Sequence, residues 1–71
     1  MEYDYSKLRG KIIEKYGSQM AFSKALGVSF STLNLKLNNK SEWTAPEMNR
    51  ACELLNIPLA ESYVFFLTEK L

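Results

Sequence analysis

The chain has 71 residues, 46% hydrophobic and 24% charged, which is enough for one small folded domain over residues 1–71. Cys52 is the only cysteine and there is no histidine, which excludes an internal disulfide, the usual transition-metal sites and histidine-based catalysis. The longest apolar run, residues 64–67, is too short to span a bilayer, and nothing near the N-terminus resembles a secretion signal. We therefore expect a cytoplasmic protein that is not an enzyme, with no cofactor, metal, membrane partner or small-molecule substrate.

The first two helices are predicted from apolar spacing and from the residues that flank them. Helix one is predicted over residues 5–16, with Asp4 as its N-cap and Gly17 at its end. Ser18 is predicted to cap helix two, over residues 19–26, which Gly27 ends. The apolar positions of helix one are Tyr5, Leu8, Ile12, Ile13 and Tyr16, and those of helix two are Phe22, Ala25 and Leu26.

Two more helices and a tail follow. Ser29 is predicted to cap a third helix over residues 30–37, with Leu33 and Leu37 on its inner side. Thr44 and Glu47 form a capping box at the start of a fourth helix over residues 45–55. Trp43 is predicted to pack on Met48 as a hydrophobic staple, Asn56 fits the C-terminal cap, and Pro58 prevents continuation. A single turn is expected next, and the β-branched and aromatic residues Tyr63 to Thr68 predict a short strand.

Charge is unevenly distributed along the chain. The net charge is only +1, but residues 15–41 contain four lysines and no acidic residue, whereas the rest carries a net charge of −3. A basic segment of this kind is where a nucleic-acid contact is expected. The same segment contains a helix, a tight turn at Gly27-Val28-Ser29 and a second helix, which is the arrangement of a helix-turn-helix over residues 19–37.

The sequence SQMAFSKALGVSFSTL at residues 18–33, with KLNNK at residues 36–40, resembles the Cro/repressor (XRE-type) helix-turn-helix family. More narrowly, it is similar to short repressor-like proteins of phages and prophages of Gram-positive bacteria. The resemblance implies an all-α, five-helix, lambda-repressor-like domain, here with the short C-terminal strand added. Phe30 and Leu35 stand where many relatives have glutamine or arginine, so the predicted recognition helix is unusually apolar.

The resemblance implies a sequence-specific transcriptional regulator, a phage or prophage repressor whose helix 30–37 enters the major groove of double-stranded DNA. Phe30, Ser31, Asn34 and Leu35 are the predicted base-contacting residues. Gln19, Lys36, Asn38 and Lys40 are the predicted phosphate-contacting residues. Helical geometry also allows Phe30 to belong to the core, because it lies within about 60° of Leu33.

The alternative is a protein-protein interaction module that reuses the helix-turn-helix fold without strong DNA binding. The small net charge and the apolar third helix favour this second hypothesis. The apolar residues 63–67 can either complete the core of the domain or form a strand that pairs with a second copy. We favour a homodimer through the tail, residues 63–71, since alternation cannot turn all of its apolar side chains inward.

Overall fold

Residues 2–69 are described by a computed structural model, in which five α-helices form an all-helical fold. They are α1 (Ser6–Tyr16), α2 (Gln19–Leu26), α3 (Phe30–Leu37), α4 (Ala45–Leu55) and α5 (Ser62–Phe66). A one-turn 3-10 helix, Leu59–Glu61, precedes α5. The predicted all-α class and the first four helices are confirmed, with α1 beginning one residue later than predicted.

Most helix ends are formed by the predicted residues. The Ser18 and Ser29 hydroxyls cap α2 and α3, each accepting a hydrogen bond of 3.1 Å from a backbone N–H of the first turn. Thr44 and Glu47 make the reciprocal capping box of α4. Left-handed caps end α1, α2 and α4 at Gly17, Gly27 and Asn56. These are local signals, which is why the sequence alone locates them.

The start of α1 differs from the prediction. Tyr5 is the N-cap residue and makes no side-chain capping bond. Asp4 lies one residue earlier, and its Oδ1 accepts a hydrogen bond of 2.9 Å from the N–H of Ser6. Asp4 therefore satisfies a helix N–H as a cap would, but from outside the capping position.

The predicted C-terminal strand is wrong. Residues 62–66 form α5, and Phe66 points into the core with 1% of its surface exposed. The described end of the tail makes one β-type contact, an isolated antiparallel bridge between Tyr3 and Glu69. Next to this bridge, the Asp4 N–H donates to the Thr68 carbonyl at 2.7 Å. Residues 70 and 71 of the predicted dimerisation segment lie outside the described residues.

The core is formed where α1 packs on α2, α4 and α5, and α2 packs on α3 and α4. Ile13, predicted as apolar core, is 51% exposed, whereas Tyr16 is half-buried and its hydroxyl donates to the Leu54 carbonyl at 3.2 Å. Burial raises the pKa of the Cys52 thiol, as expected for a packing residue. None of the described helices has the length and apolar character to cross a bilayer. The buried apolar residues are Tyr5, Leu8, Ile12, Phe22, Leu26, Leu33, Leu37, Ala51, Cys52, Leu55, Ile57 and Phe66.

Candidate recognition surface on the helix-turn-helix

The turn between α2 and α3 depends on two small residues. Gly27 adopts a positive φ of 90°, which glycine tolerates at little cost. The N–H groups of Gly27 and Val28 both donate to the Ser23 carbonyl. Ser23 is 2% exposed, and its hydroxyl donates to the Met20 carbonyl at 2.7 Å, so this buried polar group is satisfied. The turn thus presents α3 against α2 without an unpaired group at Ser23.

Arg50 of α4 fixes the C-terminal end of α2 from outside. Its Nη2 donates to the Ala25 carbonyl at 3.2 Å, and its Nε donates to the Leu26 carbonyl at 3.4 Å. A cation at this end also interacts favourably with the helix dipole. The position of α2 relative to α4 therefore depends partly on a charged side chain.

Three large apolar side chains are exposed on α2 and α3. Met20, Phe30 and Leu35 are 53%, 43% and 48% exposed. Phe30 is therefore a surface residue and not part of the buried core. Ser31 and Asn34 are exposed on the same helix, so the four predicted base-contacting residues are all accessible. We call Met20, Phe30, Ser31, Asn34 and Leu35 the recognition surface.

Lys36 was predicted to contact phosphate, and the structure places its side chain inside the protein. The residue is 5% exposed, and its Nζ lies 2.9 Å from Glu47 Oε1 in an ion pair. The same ammonium donates to the Glu42 carbonyl at 2.9 Å and lies 5.8 Å from the centre of the Trp43 ring. Its charge is therefore paired between α3 and α4.

The Lys36 ion pair also affects its partner. A hydrogen bond from the Thr44 backbone N–H and, after it, the bond from the Lys36 ammonium hold the pKa of the Glu47 carboxyl below its ordinary value. Glu47 thus serves both the N-terminus of α4 and the charge of α3. The capping box predicted from the sequence has this second role, which the sequence did not indicate.

Arg9 brings two of the predicted phosphate-contacting residues together. Its Nη1 donates to Gln19 Oε1 at 3.0 Å, at the start of α2. Its Nη2 donates to the Leu37 carbonyl at 2.9 Å and to Asn38 Oδ1 at 3.0 Å, at the end of α3. The Gln19 Nε2 is buried without a partner among the described residues. Gln19 and Asn38 therefore accept hydrogen bonds from a partly buried arginine, and Asn38 and Lys40 are exposed.

Replacing Arg9 with lysine is expected to lower the free energy of unfolding by about 1–2 kcal/mol. Lysine keeps the charge but lacks the planar fork that binds three acceptors on two helices. Urea denaturation measures the change. Lys7→Ala, at an exposed position of the same helix, is the control and should change stability by less than about 0.5 kcal/mol. An equal effect of the two substitutions would contradict a linking role for Arg9.

Sequence reasoning missed the internal roles of Arg9 and Lys36, although a signal exists. Neither residue has an acidic residue three or four positions away, where a helical surface pair would form. Lys36 also lies three residues after Leu33, on the buried side of α3. A helical cation without a local partner and beside an apolar stripe indicates a tertiary partner, and both residues have one.

Comparison with known proteins adds two findings. A family model described as "Protein of unknown function (DUF739)" matches residues 1–69. Among solved structures, the chain is similar to the modulator of repression (MOR) of the temperate bacteriophage TP901-1 from Lactococcus lactis, determined in solution. The identity is 42% with a TM-score of 0.82, over 93% of this chain and 89% of that one. Among curated proteins, none matches the chain.

Proposed function

Because the chain belongs to the DUF739 family of proteins of unknown function and is similar to a phage modulator of repression, we propose that it is a phage regulatory protein that binds a repressor protein. The contact is the recognition surface of α2 and α3. In this proposal the helix-turn-helix serves protein recognition, and strong DNA binding is not required.

The observation that carries the proposal is the exposure of large apolar side chains on the recognition surface. Phe30 and Leu35 are nearly half exposed on one short helix, and Met20 of α2 is 53% exposed. Phenylalanine and methionine are enriched in protein-protein interfaces. Ser31 and Asn34 on the same helix as Phe30 can supply hydrogen bonds to a partner.

Charge supports the same proposal. With Lys36 paired to Glu47 inside the fold, the exposed lysines of residues 15–41 are Lys15, Lys24 and Lys40. Three phosphate contacts correspond to a salt slope of roughly −3, whereas tight DNA binders make about 6–10 such contacts. The recognition surface and its surroundings therefore have too few exposed cations to bind the DNA backbone tightly.

The test mixes the protein with its cognate repressor bound to operator DNA. We expect the protein to bind the repressor and to change its affinity for the operator. Leu35→Glu should weaken repressor binding at least tenfold, about 1.4 kcal/mol, because it replaces an exposed apolar side chain of the contact with a charged one. Ile13→Glu on α1 is the matched control, since Ile13 is 51% exposed and Leu35 48%. The control should bind normally, and both variants should keep the melting temperature of the wild type.

DNA binding by the same surface is the second candidate function. It is favoured by the helix-turn-helix itself, with Ser31 and Asn34 exposed on α3 and Lys40 exposed after it. Titration of random-sequence duplex at low and moderate salt separates the two functions. Micromolar or tighter binding with a steep salt dependence, weakened by Lys40→Ala, would favour DNA. We expect weak binding that is lost at moderate salt.

A further inference from the structure

A second exposed apolar stripe lies on the C-terminal segment, away from the helix-turn-helix. Leu59, Tyr63 and Leu67 are spaced four residues apart and are 61%, 61% and 51% exposed. The Leu67 N–H donates to the Tyr63 carbonyl at 2.9 Å, which places these two side chains one helical turn apart on neighbouring positions of one face. Phe66, the residue before Leu67, is in the core. The segment is therefore amphipathic, and its outer side has no partner within the described part of the chain.

The stripe continues into a cleft of about 160 Å³. The cleft has aromatic and apolar walls, with one acidic residue, Glu42, in its lining. The buried Nε1 of Trp43 has no acceptor among the described residues. Aromatic rings next to an acidic residue can bind a cationic side chain, most often that of arginine. The lining residues are Tyr3, Tyr5, Glu42, Trp43, Met48, Phe66 and Leu67.

The charges around this region are acidic. Residues 51–69 carry Glu53, Glu61 and Glu69 and no basic residue, and Lys70 follows beyond the described residues. Arg50, at the start of this stretch, is directed to the carbonyl groups of α2 instead. Opposite charge across an interface steers association and suppresses wrong partners. The stripe therefore matches a partner that is apolar on one face and basic on its flanks.

From these observations we propose that the C-terminal surface, defined as Leu59, Tyr63 and Leu67 with Glu42 and Glu61, binds a basic amphipathic helix of a protein partner. An arginine of that helix occupies the cleft beside Trp43, and its apolar face covers the stripe. A second copy of this chain fits less well, because a two-fold interface brings the same patch, with its Glu61, against itself. This site is independent of the recognition surface used in the proposed function.

The first test uses two designed helical peptides with the same leucine face, one with arginine and one with glutamate on the polar face. Trp43 is the only tryptophan of the chain, so its fluorescence and its indole N–H resonance report directly on the cleft. We expect the arginine peptide to bind at least tenfold more tightly than the glutamate peptide and to shift the indole resonance. Equal affinity of the two peptides would overturn the proposal.

The second test uses variants of the full chain. Glu42→Gln with Glu61→Gln should weaken binding of the arginine peptide at least fivefold and reduce its salt dependence. Glu14→Gln on α1 removes an exposed carboxylate elsewhere and should change nothing. Leu35→Glu should also leave peptide binding unchanged, so failure of this site and failure of the proposed function are distinguishable. A loss of affinity in the control equal to that in the double variant would overturn the proposal. So would a dimer in sedimentation equilibrium that Tyr63→Glu dissociates, because it would make a second copy the occupant.

Discussion

Phe66→Ala is expected to lower the free energy of unfolding by about 3–5 kcal/mol, the cost of removing a fully buried phenylalanine and leaving a cavity. Phe66 is 1% exposed and contacts Trp43 edge-on, with ring centres 4.9 Å apart. An edge-on aromatic pair adds about 0.5–1.5 kcal/mol beyond the burial of area. Because a domain of this size has a small core, the loss is a large part of its total stability.

Thermal and urea denaturation measure this effect, which should reduce the melting temperature by roughly 15 °C or more for a domain of this length. Tyr63→Ala is the matched control, an aromatic residue of the same short helix that is 61% exposed. It should change stability by less than about 0.5 kcal/mol. If the two variants lost stability equally, the tail would not be anchored through Phe66, and the helical account of residues 62–66 would be wrong.

The tail also shows where sequence reasoning reaches its limit. Tyr63, Val64, Phe65 and Phe66 have the composition of a strand, and a helix of five residues has little stability by itself. Packing against α1 and α4 decides the conformation, and no local pattern encodes that contact. The four earlier helices were predictable because each has its own cap and its own apolar stripe.

The recognition surface was predictable in part for the same reason. The turn at Gly27 and the helical phase of α3 decide which side chains of α3 face outward. The exposure of Leu35 could therefore be derived from helical geometry. The ambiguity at Phe30 could not be resolved, because a position about 60° from Leu33 around the helix is compatible with either environment. The partners of Arg9 and Lys36 are 6 to 29 residues away in the chain, and only the folded structure brings them together.

The second large effect is expected at the Lys36–Glu47 ion pair. Glu47→Gln should lower the free energy of unfolding by about 2–3 kcal/mol, because it leaves a buried ammonium without its counter-charge. The glutamine oxygen can still accept from the Thr44 N–H, so the substitution tests charge and largely spares the capping box. The effect is smaller than the 3–5 kcal/mol of a fully buried pair, since the Glu47 side chain is 28% exposed.

Acid should have the same effect as the substitution. The folded state holds the pKa of Glu47 below its ordinary value, so the native state binds fewer protons there than the unfolded chain. The resulting stabilisation is present above the ordinary carboxyl pKa and is lost as the pH falls through the lowered value. Urea denaturation at several acidic pH values should therefore show a shallower loss of stability in Glu47→Gln than in wild type. Parallel curves would show that Glu47 titrates normally.

Lys36→Met separates this internal role from a contact with phosphate. Methionine removes the charge but keeps an unbranched apolar chain beside Trp43. The Glu47 carboxylate that is left is 28% exposed and still accepts from the Thr44 N–H, so it is not stranded as a buried charge. We expect Lys36→Met to change the free energy of unfolding by no more than about 1 kcal/mol. In the double variant, Lys36→Met should also abolish most of the cost of Glu47→Gln, because the ammonium that Glu47→Gln leaves unpaired is then absent. Affinity for duplex DNA and its salt slope should equal those of wild type, since an ammonium that is 5% exposed releases no counterion. If Lys36→Met instead reduced the salt slope of DNA affinity by about one unit, Lys36 would be a DNA-contacting residue. That reduction is the one expected for Lys40→Ala if DNA binds at Lys40.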